Sequence, residues 1–168
     1  MSKTWILVVC DDLWHPAEII ERGLNALPQD KYDFEIVKTA KDILTPEYLN
    51  NYAVICCKGN CVNQGNSEPW FEAGVTEVMP EDFDRYIQAG HGFLALHSGL
   101  TYSQRSRPDF AAITGCDFRG HPPRCQVNFS VTDAAHPIAA DVDNFTSRDE
   151  HYLVDVTAPD AQVFFTSQ

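Results

Sequence analysis

Gly92-Phe93-Leu94-Ala95-Leu96-His97-Ser98-Gly99 is the stretch that decides how this chain folds. An apolar run that delivers a polar residue, a small residue and a glycine is the layout of a strand entering a tight strand-to-helix turn. Such a turn is crowded, which is why its neighbours are small, and it lifts one side chain into the open. That side chain is His97, neither Ser nor Cys. An imidazole there cannot do ordinary acyl-enzyme chemistry, but it can act as a general base, a metal ligand or a hydrogen-bond donor. A helix N-terminus behind it would favour an anion or a developing negative charge. The plainer reading is a satisfied histidine at a strand end.

Upstream, strand and helix signals alternate. Trp5 to Val9 is a β-rich run closed by Cys10-Asp11-Asp12. Pro16 opens a helix with Ile19, Ile20, Gly23, Leu24 and Leu27 on one face, and Pro28 ends it. Asp33 to Val37 alternates as a second strand, and a short helix follows from Pro46 to about Asn50. Ala53-Val54-Ile55-Cys56-Cys57 is a near-continuous apolar run, as expected of a strand covered on both faces. Lys58 to Met79 is a long segment rich in Asn and Gly, of a length usually tied to function. Pro80 to Ala89 reads as a helix with Phe83, Tyr86 and Ile87 inward and Gly90 at its end. Beyond His97, the pattern predicts a short helix at Pro108 to Ile113. It also predicts strands at Cys125–Val131 and Glu150–Val156, and a last extended stretch from Gln162 to Thr166. Alternating strands and helices imply an α/β, flavodoxin-like, doubly wound and mostly parallel sheet with helices on both faces. The length of 168 residues fits a single domain spanning 1–168.

Composition narrows the function. The net charge is −12, with 12 Lys and Arg against 24 Asp and Glu, which leaves no basic footprint for nucleic acid. No apolar run approaches the ~20 residues of a membrane span, and the run after Lys3 is too short for a signal peptide. A soluble, cytoplasmic protein is expected. The six cysteines are Cys10, Cys56, Cys57, Cys61, Cys116 and Cys125. Cys56 and Cys57 are neighbours on a strand and point to opposite faces, so they bridge poorly, and no CxxC pair exists. Buried reduced thiols fit best and suit a reducing compartment.

In parallel sheets ligands bind outside the carboxyl ends of the strands. Three predicted ends carry polar groups: Asp11, Lys58 with Asn60, and His97 with Ser98. The loop Asp11-Asp12-Leu13-Trp14-His15-Pro16 reads either as a sugar or cofactor wall or as a capping loop for the helix behind it. His91 starts the strand that ends at His97, so it lies on the order of 20 Å away and is structural. Arg119 and His121 stand in a Gly-rich loop before a strand, whereas His136-Pro137 opens a short helix. In Asp149-Glu150-His151-Tyr152, a carboxylate and a histidine could join His97 as a metal site or an acid/base pair, or the segment is a solvated strand edge.

Taken together, these residues resemble the ThuA family, the trehalose-utilisation type related in fold to class I glutamine amidotransferases. The resemblance is carried by Trp14-His15-Pro16, the 92–99 stretch, and Gly115 with Phe118-Arg119-Gly120-His121-Pro122. His136-Pro137-Ile138 and Asp149-Glu150-His151-Tyr152 complete it. It implies that His97 stands where amidotransferases carry their cysteine, and it implies a role in carbohydrate catabolism on disaccharides or keto-sugars. The family pattern continues past Phe165 into a further Gly-rich segment, so a chain ending at Gln168 reads as a C-terminally short form or a fragment.

The first reading is therefore a carbohydrate-active enzyme: a hydrolase, lyase or isomerase. His97, Glu150 and His151 would be catalytic, and Asp11, Trp14, His15, Lys58, Asn60, Ser98, Arg119 and His121 would bind substrate. A metal, if bound, would be zinc (Zn2+) on His97 and His151. The partner is a small carbohydrate. A homo-oligomer is compatible, because a truncated sheet leaves an open edge. The second reading is a non-catalytic sugar-binding or interaction module. Glutamine amidotransfer fits least, since Cys10, Cys56 and Cys57 lie on strands other than the one leading to His97.

Overall fold

A computed structural model describes residues 2–40, 44–59, 71 and 76–168. Their contacts gather into two compact units, Met1–Thr114 and Gly115–Gln168. Asn60 and Cys61, with most of the 58–79 segment, lie outside the described residues.

The first unit is built on β1 (Thr4–Val9), β2 (Tyr32–Val37), β3 (Ala53–Cys56) and β4 (Phe93–Ala95). Among the described residues these form one parallel sheet in the order β2-β1-β3-β4. That is the flavodoxin-like order, in which the strand order reverses between β1 and β3 while every strand keeps the same direction. Period-two alternation sends Leu7, Val9, Val54 and Cys56 to one face and Val8, Cys10 and Cys57 to the other. On the first face pack α2 (Pro46–Leu49), α3 (Pro80–Gln88) and α4 (Pro108–Thr114), through Leu49, Phe83, Tyr86 and Phe110. The ring of Phe110 meets Phe83 at 6.3 Å and Tyr102 at 4.3 Å. On the second face packs α1 (Ala17–Leu24), through Ala17, Leu24 and the half-buried Ile20.

The helix faces differ in part from expectation. Ile19 is exposed although it lies within α1, and Leu27 is exposed because α1 ends at Leu24 and a turn carries the chain to Pro28. Ile87 also faces outward, while Phe83 and Tyr86 are buried as expected.

The second unit is antiparallel, unlike the sheet of the first. β5 (Cys116–Gly120) pairs with β8 (Leu153–Val156), and β6 (Cys125–Val131) lies between β7 (Phe145–Asp149) and β9 (Phe165–Ser167). Gly115 adopts φ +65, and a Cβ there would come within 2.9 Å of Ala158 Cβ, so glycine suits this junction. His136-Pro137 opens hydrogen-bonded turns to Ala139 and Ala140 and stops short of a helix. No helix among the described residues is long and apolar enough to cross a membrane.

Cys10, Cys56, Cys57, Cys116 and Cys125 carry free thiols, the first three fully buried. Burial pushes each of those three up to about 12 from an ordinary value of 9.0. The folded thiol therefore stays protonated where the unfolded thiol ionises. The stabilisation is whole below pH 9 and is lost as pH rises toward 12. Urea unfolding midpoints should fall steadily above pH 9 in the parent, and less steeply in a Cys10→Ala/Cys57→Ala variant.

Candidate functional site

The strand ends of the parallel sheet carry the polar groups of the first unit. After β1 the chain turns through Asp11, which is buried and held at φ +76. Its Oδ1 accepts the backbone N–H of Ala17 at 2.9 Å and so caps α1, a job the preceding Pro16 cannot do. Asp11 Oδ2 is buried without a hydrogen-bond partner among the described residues.

Asp12 organises the loop. Its Oδ1 accepts the backbone N–H groups of Trp14 and His15, both at 3.0 Å, and the His15 ring nitrogen Nδ1 at 2.6 Å. Its Oδ2 accepts Gly59 N–H at 2.8 Å, from the loop after β3. Burial alone would raise this carboxyl, but the bonds from His15, Gly59 and Trp14 outweigh it and hold it below its ordinary value. A carboxylate can only accept, so His15 carries its proton on Nδ1 and keeps Nε2 as the basic nitrogen.

His97 opens a 3₁₀ turn, His97–Leu100, at the end of β4. Its φ is +50, the left-handed conformation that a strand-to-helix elbow imposes. The expected crowding is present. Ser98 is buried and its hydroxyl donates to the Cys57 carbonyl, and a Cβ at Gly99 would run into the Cys56 carbonyl oxygen. The expected helix is not: a single 3₁₀ turn follows His97, so no helix terminus backs it. The rings of His15 and His97 meet edge to face at 4.8 Å, and a nitrogen of each lies within 4.8 Å of one on the other.

The remaining candidates of this unit take other positions. Trp14 is 71% exposed beside His15. Lys58 is buried, and its Nζ donates to the Lys38 carbonyl at 2.7 Å, tying the end of β3 to the end of β2. Desolvation lowers its pKa, partly offset by Asp11.

In the second unit Arg119 lies within β5, at a bulge, and not in a loop. Its guanidinium is clamped by Asp155 at 2.6 Å and Asp117 at 3.3 Å, a structural tie across the strand pair. Glu150 to Tyr152 links β7 to β8, so the predicted strand begins only at Leu153. His151 Nε2 meets Ser167 Oγ at 3.1 Å. Within this unit His121 faces Glu150, with Nε2 at 3.9 Å from Oε2. His121 Nδ1 donates to the Pro122 carbonyl at 2.9 Å, and its ring stacks on Tyr152 at 5.3 Å. Sequence reasoning named His121 and Glu150 separately and missed their pairing, which rests on the turn between β7 and β8.

A family model described as trehalose utilisation, ThuA, matches residues 8–168. The chain belongs to the ThuA family. A ThuA-like protein from Bacteroides uniformis is similar in fold, with a TM-score of 0.67 at 15% identity, over 97% of this chain and 66% of that one. A glutamine amidotransferase from Thermotoga maritima gives a TM-score of 0.62 at 12% identity, over 99% of this chain and 68% of that one. The chain thus spans about two thirds of the length of either. No curated protein matches it.

The ThuA chain's strained elbow gives a direct test. His97→Gly should be more stable than His97→Ala by about 1 kcal/mol, because only glycine occupies the left-handed region without a Cβ penalty. Equal urea midpoints for the two variants would show that the turn relaxes once the imidazole is gone.

Proposed function

We propose that this ThuA chain is a cytoplasmic carbohydrate-catabolism enzyme that moves protons on a sugar or keto-sugar at the ends of β1 and β4. The observation that supports this is the Asp12–His15–His97 arrangement: a carboxylate fixes one imidazole's tautomer, and a second imidazole stands edge-on to it at 4.8 Å. A base oriented by a buried acid is a recurring catalytic device.

For a keto-sugar the step is proton abstraction from the carbon next to the carbonyl. One imidazole of the pair takes the proton on nitrogen. The C–H electron pair becomes the C=C of an enediol as the carbonyl π pair moves to oxygen, which takes a proton from the other imidazole. Reprotonation at the neighbouring carbon gives an isomerase; expulsion of a glycosyl oxygen from the β-carbon gives a lyase. Trp14 offers an exposed indole for the apolar face of a ring. Glu150 and His151 enter as acid/base groups on the strength of the sequence resemblance.

His15 and His97 also fit two corners of a zinc shell, and a histidine whose other nitrogen is held by a carboxylate is the usual form of a metal-bound imidazole. Zinc there would polarise the sugar carbonyl.

Incubation of keto-trehalose with the protein in D2O, followed by proton NMR, reads the proposed step as loss of the signal next to the carbonyl. His97→Ala and Asp12→Asn should each slow that exchange by about 10²–10⁴-fold. Exchange at the parent rate in His97→Ala would overturn the proposal. Elemental analysis checks the metal: zinc at one per chain, absent from His97→Ala, is the expected result if zinc takes part.

A further inference from the structure

At the amino ends of the same strands, opposite the His15–His97 end, Thr4, Trp5, Asn50, Asn51, Tyr52 and His91 line an open cavity of about 310 Å³, together with Ala53, Gly90 and Gly92. β1 is six residues long, which sets this cavity on the order of 20 Å from Asp12. None of its lining residues bears a carboxylate, ammonium or guanidinium.

The walls are held firmly. Tyr86 donates to the carbonyls of Tyr52 at 2.6 Å and Gly92 at 2.9 Å, and His91 stacks on its ring at 4.6 Å. The hydroxyls of Tyr48 and Tyr52 both donate to Glu35, which fixes the Tyr52 ring against the edge of Trp5 at 6.2 Å. Gly90 sits at φ +91, and a Cβ there would meet nothing within 4 Å, so the residue keeps this rim open and low. Against that frame Trp5 leaves 56% of its surface in water, a high exposure for an indole at the start of a central strand. The Asn51 amide nitrogen is spent on the carbonyls of Glu47 and Tyr48, which leaves its side-chain oxygen as an acceptor. The Asn50 carboxamide stands exposed on the same rim.

We infer that this cavity is a second, non-catalytic binding site for one neutral saccharide ring. An indole face takes the apolar C–H side of a pyranose, and carboxamides supply both donors and acceptors for its hydroxyls. The absence of charged groups from the lining disfavours phosphorylated or acidic sugars, whose charge would go unmatched. The volume lies at the small end of ligand cavities (~300–1,000 Å³), which suits a single ring. The site is independent of the proton chemistry at His97, so a chain inactive in exchange can still bind here.

Binding is read from the indole N–H signal of Trp5 in 1H–15N spectra, assigned with Trp5→Phe, during titration with methyl α-glucoside, trehalose and, as a polyol without a ring, glycerol. A saturable shift with a glucoside, none with glycerol, and the same shift in His97→Ala is the expected result. Asn50→Ala, at an exposed position, should keep a folded spectrum and weaken the apparent Kd by about tenfold. Trp5→Ala, followed by calorimetry, should abolish binding at this site. A Trp5 signal that stays in place with every glucoside, or that moves equally with glycerol, would overturn the inference.

Discussion

The arrangement at the strand ends depends on one buried carboxylate. Asp12 gathers three bonds from its own loop and one from Gly59 on the neighbouring strand's loop, across the point where the strand order of the sheet reverses. At such a point two loops diverge and leave a crevice, which is why α/β sheets bind ligands there. Without a bridge the two loops would be free to splay. With it, the loop after β1 is pinned, and with the loop the tautomer of His15. A charge this deep is tolerated only because each of its oxygens is satisfied, so the organisation of the site and the burial of the acid are one fact.

A second constraint acts through the backbone. Asp11 and His97, at the ends of β1 and β4, both occupy the left-handed region that L-residues avoid. Each is held by its surroundings: Asp11 by its cap on α1, His97 by a turn packed so tightly on β3 that Gly99 admits no side chain. Strain of this kind persists only where neighbouring structure over-determines it, and it gathers at functional sites.

The parallel half of the fold was legible in the sequence because buried parallel strands read as apolar runs, as in Ala53 to Cys56, and Pro16, Pro46 and Pro80 mark the helix starts. The elbow at His97 was legible from its small neighbours. The antiparallel half was harder. Cys116–Gly120 and Phe145–Asp149 are short and carry Asp117, Arg119, Thr146 and Arg148, so they offer no apolar periodicity that would mark them as strands. The strands expected for that half, Cys125–Val131 and Glu150–Val156, have more β-branched residues, although the second begins only at Leu153. At the site, topology predicted that the loop after β1 would approach the end of β4, and His15 does meet His97. Side-chain commitments such as Lys58 to the Lys38 carbonyl, or Arg119 to its two aspartates, depend on local geometry that residue type does not encode.

The buried cysteines have a consequence beyond acid–base behaviour. Cys56 belongs to one face of the parallel sheet and Cys10 and Cys57 to the other, so the core carries thiols on both sides of a single layer. An alkylating reagent reaches neither side until that layer opens, and a thiol kept protonated by burial ionises and reacts only once the opening exposes it. The order in which these cysteines become labelled is therefore a record of which helical layer leaves the sheet first, written by the protein's own residues without an added probe.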